Sequence, residues 1–208
     1  MTEGVKRAFD LFVGLLSLLL LSPLLGVVAL MVRVTSSGPA MFRQTRLGRN
    51  RRPFVLYKFR TMYDGSPNEI HRDYVSRLLT EDHPPPGGRL GLYKLENDPR
   101  ITPLGRWLRR TSIDELPQLF NVVRGEMSLV GPRPALPWEV ELIGPGHQER
   151  FHVLPGLTGL WQVSGRNKLT MRQGLDLDVE YVRRQSFALD LAILLRTVPL
   201  VLSTHGAL

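Results

Sequence analysis

Two adjacent acids, Asp114 and Glu115, stand in the stretch Thr111-Ser-Ile-Asp-Glu-Leu-Pro-Gln118 of a chain with 27 Lys+Arg against 19 Asp+Glu. Arg106, Arg109 and Arg110 precede them, and Arg124 and Arg133 follow. The formal net charge of +8 suits anionic partners: lipid surfaces, nucleic acid or phosphorylated substrates. Ser112 to Glu115 has the form of a helix capping box, and acids are common in a first helical turn. Pro117 argues against that simple box, because beyond the first turn its missing N–H would cost a helix bond. With Pro117 at the first helical position, Asp114 and Glu115 fall in the approach to the helix, free to diverge.

Other cations have spacings that suit phosphate. Arg133 lies between Pro132 and Pro134, which hold it in a rigid loop at little entropic cost, as a bidentate phosphate ligand or a structural turn arginine. Lys58 and Arg60 share a face if Phe54–Phe59 is a strand, where a solvated strand face is the plain alternative. Ser164-Gly-Arg-Asn167 offers backbone N–H groups and Arg166 to an anion, a weak signal by itself. With no Cys, disulfides, thiolate chemistry and cysteine-held metals are excluded, and the five His show no two-His metal spacing.

The elements that position these residues begin with an uncharged apolar run, Leu11 to Val32, long enough to cross a hydrocarbon core of ~30 Å. Ser22-Pro23 interrupts it, and both flanks are basic: Lys6 and Arg7 before, Arg33 to Arg52 after. A straight span cannot keep both flanks on the cytoplasmic side; a helix broken at Ser22-Pro23, entering and leaving by one face, can. From the residues alone the two arrangements are even. Ala40–Gln44 and Phe54–Phe59 predict a β-hairpin. Residues 64–95 form a variable insert, with a short helix at Ile70–Leu79 and a loop at Pro84–Gly88. A short helix follows from about Thr102, then an amphipathic helix burying Leu116, Leu119, Phe120 and Val123. Pro155–Asn167 reads as a strand between glycine turns, and Leu175–Arg184 as a helix. Phe187–Ser203, broken by Asp190, Arg196 and Pro199, is too charged for a comfortable span and suits a core helix or one lying in the membrane interface.

Taken in order, the motifs resemble the monotopic polyprenyl-phosphate phosphoglycosyl transferases, the bacterial sugar transferase family. The matching pieces are Lys6-Arg7-x-x-Asp10, Ser22-Pro23, Gly38-Pro39 with Phe42-x-Gln-x-Arg46-x-Gly48, Lys58-Phe-Arg-Thr-Met62 and Ser112-Ile-Asp-Glu-Leu-Pro-Gln118. Asn121, Met127-Ser-Leu-Val-Gly-Pro-Arg-Pro134, Pro155-Gly-Leu-Thr-Gly159, Gly165-Arg-Asn167 and Leu177-Asp-Val-x-Tyr-Val182 complete the set. Ile113 replaces the family's usual Leu, and Leu160-Trp161 follows the glycine turn.

The resemblance implies an α+β fold: residues 1–36 as a re-entrant membrane helix and 37–208 as a cytoplasmic-face catalytic domain, with a short β-hairpin and interfacial helices, among them 187–208. It implies an enzyme of the bacterial inner membrane that transfers a phosphosugar from a nucleotide diphosphate sugar, usually a UDP-sugar, to polyprenyl phosphate with release of UMP. Asp114 would be the nucleophile and Glu115 the ligand of Mg²⁺, the expected cofactor. Lys58, Arg60, Arg109, Arg133, Arg166, Gln162 and Asp178 complete the expected substrate and phosphate site. The partners implied are the nucleotide sugar, the polyprenyl phosphate and membrane lipid, not nucleic acid, and the reading admits a homodimer. The rival is a non-enzymatic, membrane-anchored basic protein that binds anionic lipid or nucleic acid.

Overall fold

A computed structural model describes residues 3–65, 76–77, 98–165 and 169–202. The expected helix at Ile70–Leu79 and loop at Pro84–Gly88 lie, but for residues 76 and 77, outside them. Helix α1 (Glu3–Thr35) carries the apolar run, and the hairpin β1 (Met41–Leu47) and β2 (Pro53–Phe59) follows. Next come α2 (Pro103–Thr111), a 3-10 turn at Ile113–Glu115, α3 (Gln118–Arg124) and β3 (Ser128–Val130). After α4 (Glu139–Leu142) and a 3-10 segment at Pro145–His152 lie β4 (Gly156–Thr158), α5 (Leu160–Ser164), α6 (Met171–Arg184) and α7 (Phe187–Leu202). The α+β composition agrees with the sequence reading, and the hairpin is antiparallel from Met41↔Phe59 to Leu47↔Pro53, with β1 ending three residues later than expected. A second, two-stranded parallel sheet joins β3 to β4.

Helix α1 runs through Pro23 as one helical element, about 50 Å long at 1.5 Å per residue. Proline at 23 removes the N–H that would have reached the Leu19 carbonyl, and the Ser22 hydroxyl donates to that same oxygen at 2.8 Å. The side chain thus satisfies the group the proline orphans, as in apolar surroundings it must.

The basic residues before the run point inward. Lys6 Nζ donates to Asp190 Oδ2 (2.5 Å) and to the Val130 carbonyl (3.2 Å). Arg7 donates to the Val122 and Val123 carbonyls at the end of α3 (2.6 and 2.7 Å). It fits because Gly125, in the left-handed conformation (φ 83°) that ends α3, has no Cβ, which would stand 3.2 Å from the guanidinium. Asp10, 2% exposed, accepts the Leu129 N–H at 3.1 Å. At the other end Arg60 donates to the Val32, Ser36 and Ser37 carbonyls, closing the C-terminus of α1. Both ends of α1 are therefore tied to the same body.

One face of α1 packs on that body. Phe9, Val13, Leu18 and Leu21 meet the core of Leu56, Leu119, Val122, Met127 and Ile193, while Val28 and Val32 pack with Phe59 and Leu108. The opposite face leaves Phe12, Leu19, Leu20 and Leu30 more than 60% exposed, and α7 likewise exposes Leu195 and Val198 while burying Ile193 and Asp190. Among the described residues α1 is the one helix long and apolar enough to cross a membrane.

Two sequence expectations give way here. In α3 it is Gln118, Leu119, Asn121 and Val122 that are buried and Phe120 that is 44% exposed, because the helix begins at Gln118 and presents a different arc to α1. Pro155–Asn167 is a strand only at Gly156–Thr158. It then turns into α5, whose Trp161 lies so close to α6 that a Cβ on Gly174 would fall 2.3 Å from the indole. Helix α6 also starts earlier than expected, at Met171, behind a Thr170–Gln173 capping box.

Lys6→Ala should destabilise the protein by about 3 kcal/mol, since it strands the buried Asp190 carboxylate. Lys6→Met/Asp190→Leu should recover most of that loss. Thermal unfolding in detergent measures both, and a single variant as stable as the wild type would contradict the assignment.

Candidate active site

The turn that carries the two acids is made by Ser112. It ends α2 in the left-handed region (φ 57°), its N–H donating to the Arg109 carbonyl, and its own carbonyl accepts the Glu115 N–H at 3.1 Å. For a residue with a Cβ that conformation costs roughly 1–2 kcal/mol. It is over-determined by the helices on either side, as strained residues at functional sites usually are. Ser112 makes no side-chain cap, so the capping-box alternative is not what the chain adopts. Helix α3 starts one residue after Pro117, and the acids lie in the approach to it, as the proline predicts.

Asp114 is 6% exposed, and its charge, with those of Asp98 and Glu115, acts on Arg109. Burial pulls the Arg109 guanidinium below its ordinary value, against the pull of Asp114 in the other direction. Arg109 Nε donates to Thr61 Oγ1 at 2.8 Å, which fixes the head group from the strand side. Lys58 Nζ stands 3.0 Å from Glu115 Oε1, both side chains about a third exposed. Asn121 holds this distance. Fully buried, it accepts the Tyr57 N–H at 3.2 Å and donates to the Val55 carbonyl (2.7 Å) and Glu126 Oε2 (2.6 Å).

The expected site residues thus separate. Asp114, Glu115, Lys58 and Arg109 come together at one place. Arg60 is engaged by the last carbonyls of α1, away from the two acids in the hydrogen bonds it makes. Asp178 is 1% exposed and receives two hydrogen bonds from Arg150 (2.6 and 3.1 Å). Burial pushes its carboxyl up while the guanidinium pulls it down. Arg150 Nη2 also donates to the Arg133 carbonyl at 2.7 Å, so Asp178 supports the Arg133 loop from behind. Gln162 lies in α5, its Oε1 buried beside Gly159. Arg166 lies outside the described residues. Asp176 and Glu180, on the same helix as Asp178, pair with His147 and Arg184 at the surface.

Sequence reasoning passed over Arg150, Tyr181 and Asp190. Tyr181 Oη lies 2.7 Å from Asp190 Oδ1 and 3.0 Å from the Val130 oxygen, and burial together with the Asp190 charge pushes its hydroxyl far above its ordinary value. A signal for this group did exist: Asp190 in an apolar helix must find a partner, and Lys6 precedes the other apolar helix.

No cluster of three or more metal-ligating side chains occurs among the described residues. Two neighbouring carboxylates do not cage a metal. They fit an ion such as Mg²⁺, which keeps waters and takes oxygens from substrate phosphates.

Arg150→Met should destabilise the protein by about 3–5 kcal/mol by leaving Asp178 buried and unpaired, with Arg150→Met/Asp178→Leu largely restored. A thermal-unfolding double-mutant cycle gives the coupling.

A family model described as bacterial sugar transferase matches residues 1–204. The exopolysaccharide production protein ExoY of Sinorhizobium fredii is 38% identical over 202 residues, 97% of this chain and 87% of that protein. The undecaprenyl-phosphate galactose phosphotransferase of Salmonella typhimurium is 41% identical, over 98% of this chain and 41% of that protein. The undecaprenyl-phosphate glucose phosphotransferase of Komagataeibacter xylinus is 44% identical, over 93% of this chain and 35% of that protein. The chain thus spans most of the first relative and less than half of the other two.

Proposed function

The chain belongs to the bacterial sugar transferase family, and from that premise we propose that it transfers a phosphosugar from a nucleotide diphosphate sugar, a UDP-sugar by preference, to polyprenyl phosphate. The observation that carries this reading is the Asp114–Glu115 turn with Lys58 and Arg109 set against it. Relatives named as undecaprenyl-phosphate sugar phosphotransferases support the choice of acceptor.

Asp114 attacks the β-phosphorus. A bond forms between its carboxylate oxygen and phosphorus, the bond from that phosphorus to the bridging oxygen breaks, and UMP leaves with the electron pair. A phosphate oxygen of the acceptor then attacks the same phosphorus and returns Asp114 to its carboxylate form, giving polyprenyl-diphosphate-sugar. An anion attacking an anion needs positive charge aimed at the phosphoryl oxygens, which Lys58 and Arg109 supply from fixed positions; Arg133 serves the same end. Glu115 would hold Mg²⁺ against the diphosphate, and the ion would supply further charge neutralisation there.

We also place α1 as a re-entrant helix, with both ends and the catalytic body on the cytoplasmic face of the inner membrane. Its two sets of polar ties, Lys6, Arg7 and Asp10 at one end and Arg60 at the other, support this. A span would have to break one set.

Asp114→Asn should abolish UMP release, by at least about 10³-fold if the acid is the nucleophile. Incubating the wild type with β-³²P-labelled UDP-sugar before acceptor is added should label the protein, and Asp114→Asn should not label. Turnover by Asp114→Asn at the wild-type rate would refute the assignment. For topology, Thr2→Cys should react only with reagents on the cytoplasmic side, and periplasmic labelling would rule out re-entry.

A further inference from the structure

The hairpin register sets Phe42 opposite Lys58, the cation that meets Glu115. Directly paired residues project to the same face of the sheet, their Cβ atoms about 4.5–5.5 Å apart. Farther along β2 that face is core, Leu56 being 2% and Phe54 9% exposed. At Phe42 the face opens, and the ring is 41% exposed beside the cation–carboxylate pair.

Ala40 and Met41, the two predecessors of Phe42, pack in the cluster of Val28 and Val32 on the second half of α1. The outer face of that half leaves Leu24, Val27, Leu30 and Val34 exposed. The start of β1 therefore runs from a surface for lipid to a site for phosphate, and Phe42 stands exposed on it. A nucleotide needs no such bridge. A ligand with an anionic head and a long apolar tail does.

We propose that Phe42 is the acceptor-side contact of the enzyme, the surface over which the first isoprene units of polyprenyl phosphate lie while the phosphate reaches Lys58 and the phosphorylated Asp114. This rests on the function given above. Phe42 is a specificity residue and takes no part in bond making. An exposed aromatic at this point keeps apolar area in water that the acceptor chain covers, and covering it favours the lipid over a shorter alkyl phosphate.

The test separates the two half-reactions. With nucleotide sugar alone, the burst of UMP reports attack by Asp114. Steady-state turnover at varied polyprenyl phosphate reports the acceptor. Phe42→Ala, in which the change is at a half-exposed ring, should leave the burst and the KM for nucleotide sugar unchanged and raise the KM for polyprenyl phosphate about tenfold, with Phe42→Leu near wild type. With a short-chain alkyl phosphate acceptor, wild type and Phe42→Ala should have the same KM. An unchanged KM for polyprenyl phosphate, or a burst lowered in step with turnover, would overturn the proposal. A wild type that gives no burst counts against the covalent mechanism, and the acceptor KM still decides the role of Phe42.

Discussion

The geometry of the candidate site depends on one buried amide. The Asn121 carboxamide is completely buried, accepts the N–H of Tyr57 and donates to the carbonyl of Val55. It meets β2 as a neighbouring strand would, while its own carbonyl receives the Glu126 and Met127 N–H groups at the end of α3. This one amide fixes helix to hairpin. Lys58 follows Tyr57, and Glu115 lies in the turn that leads into α3, so joining the two elements brings cation and acid to 3.0 Å. A buried amide left half-bonded would cost about 1–3 kcal/mol, so the register cannot slip without a penalty comparable to a sizeable part of the fold's stability.

The same logic governs the apolar helix. Charges at its start pass the lipid by and enter the body, where Lys6 and Tyr181 each reach both the carbonyl of Val130 and the carboxylate of Asp190. Val130 leads into Gly131-Pro-Arg133, so the anchor and the arginine loop share a support. Arg150 and Asp178 brace that loop from the opposite side. The helix is thus a structural member of the catalytic body as well as its apolar surface.

Much of this could be read from the residues. Pro117 located the start of α3 to within one residue, and Thr102 marked the start of α2, because local chemistry decides both. The partner of the basic flank of α1 was not legible, since a lysine before an apolar run looks the same whether it meets lipid phosphate or a buried aspartate 184 residues away. Arg60 and Asp178 are open to two readings in the same way. A charge in a motif shows that a partner exists, and only the packing shows whether the partner is a substrate, a helix terminus or another side chain. Helix α5 was missed because Leu160-Trp-Gln-Val163 is too short for periodicity to separate strand from helix.

The ion pairs of the body differ in how far they are buried. Asp98 is held by Arg100 through short bonds that pull its carboxyl below the usual range, Asp178 by Arg150, and Asp190 by Lys6, all with their carboxylates almost wholly buried. Breaking such a pair costs several kcal/mol, so these bonds persist. Lys58 and Glu115 form a pair that is about a third exposed, in a class worth about 0–1 kcal/mol. Under the proposed function, an incoming phosphate would exchange for Glu115 at Lys58 at little cost. The weakest of these four ion pairs therefore lies next to Asp114 in the chain.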